Sequence, residues 1–451
     1  MNKLTRPFIA ALLLLSPIAV SAETWTLQQC IDYATAHSID LQKSHISEQD
    51  YEQQLDQAKA QLLPTLSAST SQNINNRPWA KSTNNVITDG SGNMTVASSS
   101  SSTTYNGNYG LNLGYTLWNG GRRTKTIEQT RLNLEKQQLS TEQQLNSLKE
   151  QIVQAYIDIL YAREAIAINE GTLNVAKAQR DRAAQMVKIG TLSKADLSQL
   201  EAQVAQDEYN VVNAKVSVAR NILKLKQLLE LEPAADFDVA TIAVSDEQAL
   251  GIIPNADEVY QVALAARPEI RGSKLSVDIA DKQIEIARAG RLPSVSISAG
   301  IGTSNMSGAG KGLFDQWKQN WSNSAGLNVS VPIFSQHQNK VAINRAQLQK
   351  QTAELEVLNQ QKQLRNTIDG YWLDAQNAQA QFRSADANVT SMQTSFDLLS
   401  EQFNVGLKNL VELMDGKNNL QKAQQSKLQS KYTSILDQQL LKYYAGEDFK
   451  L

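Results

Sequence analysis

One pattern is written into this chain twice, and that constrains its fold more than any single motif. Residues 33–41 read YATAHSIDL and residues 262–270 read VALAARPEI, 229 positions later. The same spacing carries Leu63-Pro64 onto Leu292-Pro293. Further along the spacing becomes 216: GLNLGYTLW, ending at Trp118, aligns with GLNVSVPIF, ending at Phe334. GTLSKADL (190–197) then aligns with GLKNLVEL (406–413). A tandem repeat makes each copy one structural unit, and the pair builds what neither could build alone.

Proline is absent between Pro78 and Pro233 and after Pro332. Within these intervals Leu148, Ile152, Tyr156 and Ile159 recur at three- and four-residue steps, the period of one helix face. The spans 122–189 and 338–405 each hold 68 residues. At 1.5 Å per residue each predicts a helix of roughly 100 Å, far beyond the usual globular helix. Gly190 and Gly406 then break the helix, and a second helix returns at about 193–230 and 408–445. Each copy therefore predicts a long antiparallel helical hairpin, at 122–230 and 338–445. Helices alone leave a coiled-coil spacer open.

Four other segments alternate with period two, at about 65–76, 105–118, 293–303 and 321–334. In the second, Tyr105, Tyr109, Leu111, Leu113, Tyr115 and Leu117 fall on one face, with Asn106, Asn108, Asn112 and Thr116 opposite. In the fourth, Leu327, Val329, Val331 and Ile333 oppose Ser322, Ser324, Asn328 and Ser330. Segments of about ten residues, apolar on one face and small or polar on the other, are the mark of a transmembrane β-barrel. Four strands cannot close one, and an open edge in lipid leaves backbone groups unpaired, so the barrel must be completed by oligomerisation. Residues 77–104 and 303–320 are expected to be surface loops. SNMSGAGKG in the latter has Asn305 where a phosphate loop needs Gly, and Gly312 where it needs Ser or Thr.

Lys3 and Arg6 precede an apolar run from Phe8 to Val20, followed by Ser21-Ala22. This predicts an export signal over 1–22 and a mature start at Glu23. Cys30 is the only cysteine, so no internal disulfide is possible, and it is expected to be a buried helix thiol. Beyond the signal no apolar run reaches the length of a membrane helix, which leaves a membrane β-barrel possible. A net charge of −2 gives no basis for nucleic-acid binding. His37, His45 and His337 are the only histidines and lie in no metal-ligand spacing, and SSSSS at 98–102 is loop composition. No catalytic, cofactor or metal residue is assigned.

Together the repeat, the four strand segments and the two Gly-marked tips resemble the TolC family of outer-membrane efflux ducts, from WTLQQCIDYA (25–34) to the C-terminus. The fold class implied is mainly α with membrane β, a trimeric α/β-barrel. It has a first repeat over 23–231, a linker or equatorial segment over 232–256 and a second repeat over 257–451. The resemblance implies a homotrimer in outer-membrane lipid that docks onto a periplasmic adaptor and an inner-membrane transporter and carries drugs or proteins outward. It also implies roles for FNVGLKNLVELMD (403–415). Gly406 matches the family tip, and Glu412 and Asp415 fill its two acidic positions. Asp196 stands where the family has the partner of a locking basic residue. Phe403 and Lys408 replace the family's Tyr and Arg, and they lack respectively a hydrogen-bonding hydroxyl and a bidentate fork. Were three chains to converge here, Glu412 and Asp415 would form two carboxylate rings selecting cations. A periplasmic coiled-coil adaptor or scaffold is the alternative; it accounts for the hairpins and the signal and leaves the strands without a role.

Overall fold

The computed structural model describes residues 24–79, 83–88, 94–99, 103–234, 236–307 and 311–450. The expected export signal lies outside the described residues. The first copy runs β1 (Thr24–Trp25), α1 (Leu27–His37), α2 (Ile39–Ala60), β2 (Thr65–Asn76), β3 (Thr83–Thr88), β4 (Met94–Ser99), β5 (Thr103–Trp118), α3 (Arg122–Lys188) and α4 (Lys194–Leu228). Then come β6 (Asp238–Val239) and α5 (Asp246–Ala249). The second copy runs α6 (Ala256–Ala266), α7 (Pro268–Ala289), β7 (Ser294–Met306), α8 (Leu313–Gln319), β8 (Ser322–Ser330), α9 (Gln338–Asn404) and α10 (Leu410–Tyr444).

The duplication is one of backbone. α1 and α6 both have 11 residues, α2 and α7 22, α3 and α9 67, and α4 and α10 35. Leu27 of α1 precedes Ala256 of α6 by 229 positions, and Arg122 of α3 precedes Gln338 of α9 by 216. The extra residues of the first copy lie in its strand region, which contains β3 and β4. These pair antiparallel from Thr83↔Ser99 to Thr88↔Met94, so the segment 77–104, expected to be a surface loop, contains a strand pair. The second expected loop, 303–320, likewise contains the end of β7 and helix α8. β8 stops at Ser330 rather than 334, because Pro332 has no N–H to continue a ladder.

Contacts divide the chain into two compact units that cut across the repeat. One holds Ser44–Thr141 and Pro268–Gln361; the other holds the described residues of Met1–Lys43, Glu142–Arg267 and Lys362–Leu451. Each takes segments from both copies, so neither copy buries its own helices alone.

The first unit carries an antiparallel sheet in the order β2-β5-β7-β8. Directly opposed residues share a face. One face collects Leu66↔Leu113, Ala68↔Leu111, Leu111↔Ile301, Tyr115↔Ile297, Ile297↔Leu327 and Val295↔Val329. The other collects Ser67↔Asn112, Asn112↔Gly300, Gly300↔Ser324 and Ser296↔Asn328. Away from Tyr109 and Thr303 the apolar face is open: Leu66 is 72% exposed, Leu327 65% and Leu111 47%. Edge strands β2 and β8 are exposed along their whole length. Beside the sheet, α3 meets α7 through Lys125–Glu285 (3.0 Å) and Lys282–Glu128 (2.8 Å), and α7 meets α9 through Lys350–Asp281 (2.8 Å).

The second unit is a helical bundle. Asp158 faces Lys224, Glu170 faces Lys215 and Lys177 faces Glu208, so α3 and α4 run antiparallel. Lys427 of α10 pairs with Asp386 of α9 (2.6 Å), while a Cβ on Gly416 would meet Leu399, so α9 and α10 also run antiparallel. The stripe Ile152, Tyr156 and Ile159 is fully buried, with Leu27, Cys30 and Ile31 of α1, Leu225 of α4, Phe382 of α9 and Ile435 of α10 in the same core. Burial pushes the Cys30 thiol up to about 12, so it is inert. Tyr156 donates from its hydroxyl to the Ala240 carbonyl (3.0 Å), tying the short β1–β6 pair to this core.

Candidate entrance at the hairpin tips

Both tips lie in the bundle unit and are built by the same local rule. Gly190 (φ 80°) and Gly406 (φ 76°) adopt the left-handed conformation that only glycine enters without strain. Thr191 N–H donates back to Met186 O (3.0 Å) and Leu407 N–H to Gln402 O (2.9 Å), the closing bond of a Schellman turn. Three residues after each glycine the next helix is capped. Ser193 Oγ accepts from Asp196 N–H (3.1 Å), and Asn409 Oδ1 accepts from Glu412 N–H (3.0 Å). Glu412 returns the contact to Asn409 N–H (3.3 Å), completing a capping box.

An apolar cluster sits under these turns: Ala183, Leu200, Phe396, Phe403, Leu410, Leu413 and Leu420. Phe403 is therefore a core residue of the tip, 3% exposed.

Within one chain the charged groups of the tip pair locally. Lys408 Nζ pairs with Glu412 Oε1 in its own helix (2.7 Å). Asp196 accepts from the Ser193 hydroxyl (2.7 Å), and among the described residues it forms no ion pair with Lys408. The Lys408 ammonium, helped by Asn409 N–H, holds the Glu412 carboxyl below its usual range. Asp415 is exposed, one turn beyond Glu412 on the same face, and has no ion-pair partner among the described residues. Of the two acids, Glu412 is neutralised within the chain and Asp415 is not.

Two further groups were not legible as site residues. Lys417 and Asp207 form an ion pair joining α10 to α4, with side chains only 4% and 2% exposed. Gln203 Nε2 donates to Asp207 Oδ1 (2.9 Å), satisfying the second carboxylate oxygen. Nearer the other end of α10, Asp437 is buried with Oδ2 unpartnered. Burial, and secondarily the charge of Asp374, push its pKa up to about 7.

Among the described residues no helix is long and apolar enough to cross a membrane, and no cluster could hold a metal ion. The family model "Outer membrane efflux protein" matches residues 30–230 and 259–447. The outer membrane protein TolC of Salmonella enteritidis is 21% identical over 438 residues, covering 96% of this chain and 84% of its own. The outer membrane efflux protein BepC of Brucella suis is 22% identical over 332 residues, covering 73% and 70%. The solved structure of the outer membrane protein VceC from Vibrio cholerae superposes with a TM-score of 0.75 at 18% identity, over 94% of this chain and 97% of that one.

Proposed function

This chain belongs to the outer membrane efflux protein family, and we propose that three copies of it close one barrel and bring their α9–α10 tips together as the periplasmic entrance of an export channel. The protein is an outer-membrane export channel extending into the periplasm. The observation that carries the trimer is the sheet: four strands, one apolar face, one face of Ser, Asn and Gly, and two exposed edges. Three copies would pair β8 of each with β2 of the next and leave no edge in lipid, with the apolar face outward and the polar face lining the pore. A soluble adaptor would leave that apolar face without a partner.

Export in this reading is passive conduction through a pore opened by partners, and no catalytic role is proposed. The tip segments 186–197 and 403–415 are the surface offered to a periplasmic adaptor, which links the channel to an inner-membrane transporter. At the entrance the three Asp415 carboxylates form the selective ring. Glu412, already paired with Lys408, contributes less. For the latch, Lys408 has to leave Glu412 to reach an Asp196, so Glu412 and Asp196 compete for one ammonium.

Single-channel recording in planar bilayers tests this. Asp415→Asn should lower cation-over-anion selectivity more than Glu412→Gln does, and unchanged selectivity in Asp415→Asn would contradict the ring. Lys408→Glu should raise conductance by placing like charge against Asp196; unaltered conductance would remove the latch.

A further inference from the structure

Helix α8 does not hang free above the strands but lies on the apolar face of the sheet. Thr303 and Tyr109 are opposed across β7 and β5, on the face shared by Leu111 and Ile301. Thr303 Oγ1 donates to Trp317 O (2.8 Å), and the Trp317 ring stands edge-on to Tyr109 with centroids 5.1 Å apart. Asn320 Nδ2 donates to Ser304 O (2.8 Å), and Gln316 bridges Met306 N–H (2.8 Å) and Lys311 O (2.9 Å). Four contacts thus fix a seven-residue helix against the side of the sheet that faces lipid.

Its height follows from the strand. Trp118 lies at the end of β5 that enters α3, and Tyr109 lies nine residues back toward the other end. Nine residues span about 30 Å of strand, and a tilt near 40° reduces this to about 23 Å, close to the apolar band of a membrane barrel. Trp118 then marks the periplasmic girdle, and the Tyr109–Trp317 pair marks the outer one. At that level α8 turns Phe314 (79% exposed) and Leu313 outward, Trp321 just past its end is exposed as well, and Phe314 stands edge-on to Trp317 at 5.7 Å. Lys311 and Lys318 flank them, both exposed. Lys311 Nζ donates to Gln319 Oε1 (2.9 Å), and Asp315 is the one acid of the helix.

We propose that α8 is a lipid-docking ledge: Phe314, Leu313 and Trp321 enter the acyl region of the outer leaflet, and Lys311 and Lys318 hold a phosphate on the headgroup of an anionic outer-leaflet lipid. The occupant is identified by continuity and by charge. The ledge is seated on the lipid-facing sheet through Thr303, Ser304, Met306 and Tyr109, and its rim carries Lys311 and Lys318 where a phosphate would lie. The inference rests on the outer-membrane placement of the sheet and adds to it a particular lipid chemistry.

The experiment uses the full-length channel in nanodiscs. A polarity-sensitive fluorophore is attached at Phe314→Cys; buried Cys30 leaves that thiol as the reactive one. Blue-shifted emission, quenched by lipids brominated in the acyl chain, is expected. Water-like emission from a channel that is inserted and conducting would overturn the ledge while leaving the channel reading intact. A protein that does not insert at all would overturn both. In parallel, native mass spectrometry follows retention of phosphorylated lipid A against its dephosphorylated form. Lys311→Ala with Lys318→Ala should weaken retention of the phosphorylated lipid by roughly 30-fold. Equal retention of the two lipids by the unmodified channel would overturn the phosphate assignment.

Discussion

At the first tip, Gly190 passes the chain to a helix capped by Ser193; at the second, Gly406 passes it to one capped by Asn409. The residues that set the backbone recur 216 positions apart, and most others at the tips do not. Leu192 stands opposite Lys408, Gln199 opposite Asp415, Val187 opposite Phe403, and Glu201 opposite Lys417. Asp207, the partner of Lys417, has Ala423 as its counterpart. The turn needs a left-handed glycine and a cap in both copies, and the acids behind the caps, Asp196 and Glu412, are themselves counterparts. Duplication preserved the geometry and one acid per tip, while divergence gave Lys408, Asp415 and Lys417 to the second copy and Asp207 to the first.

The largest effect expected from breaking this asymmetry is at Lys417. Lys417→Ala leaves Asp207 charged and buried, which should cost about 3–5 kcal/mol, read as a fall in the denaturation midpoint. Replacing both partners with apolar residues, Lys417→Met with Asp207→Leu, should recover most of that loss. A single variant as stable as the parent would show that the pair is solvated in the assembled channel.

Asp437 comes next, and the first copy supplies its control. Its counterpart is Asn221, whose amide donates to the Asp158 carbonyl (3.0 Å), and Asp158 is the counterpart of Asp374. The folded pKa of Asp437, about 7, lies above the unfolded carboxylate value, so folding disfavours its ionised form. No penalty applies below about pH 4; it grows as pH rises to about 7 and is constant above. Asp437→Asn should therefore stabilise by up to about 4 kcal/mol at pH 8 and by almost nothing at pH 4. A pH-independent difference in thermal midpoint would contradict this. Smaller still, Gly190→Ala and Gly406→Ala should each cost about 1–2 kcal/mol, and by equal amounts, because the strain is in the backbone. Unequal costs would mean the two turns are not equivalent.

Periodicity made the long elements legible. Helices α3 and α9, the four sheet strands and both tip glycines stand close to where proline-free heptad-like spacing and period-two alternation place them. The hairpin β3–β4 falls in a Ser-, Asn- and Thr-rich stretch that carries no clear period, and α8, LFDQWKQ, has seven residues, too few to show one. Phe403 is a latch candidate only through the resemblance, which sets it three residues before Gly406; its place in the tip core depends on Leu200 and Ala183, more than two hundred residues earlier in the chain. Lys417–Asp207 was invisible for the same reason, since its partners sit 210 positions apart on different helices.

The native mass of the chain extracted from the outer membrane in mild detergent tests the central claim most directly. The account predicts a particle of three 49.7 kDa chains, less any cleaved export signal. A soluble monomer recovered from the periplasm would contradict it, because the exposed apolar face and the open edges of the β2-β5-β7-β8 sheet would then have no partner.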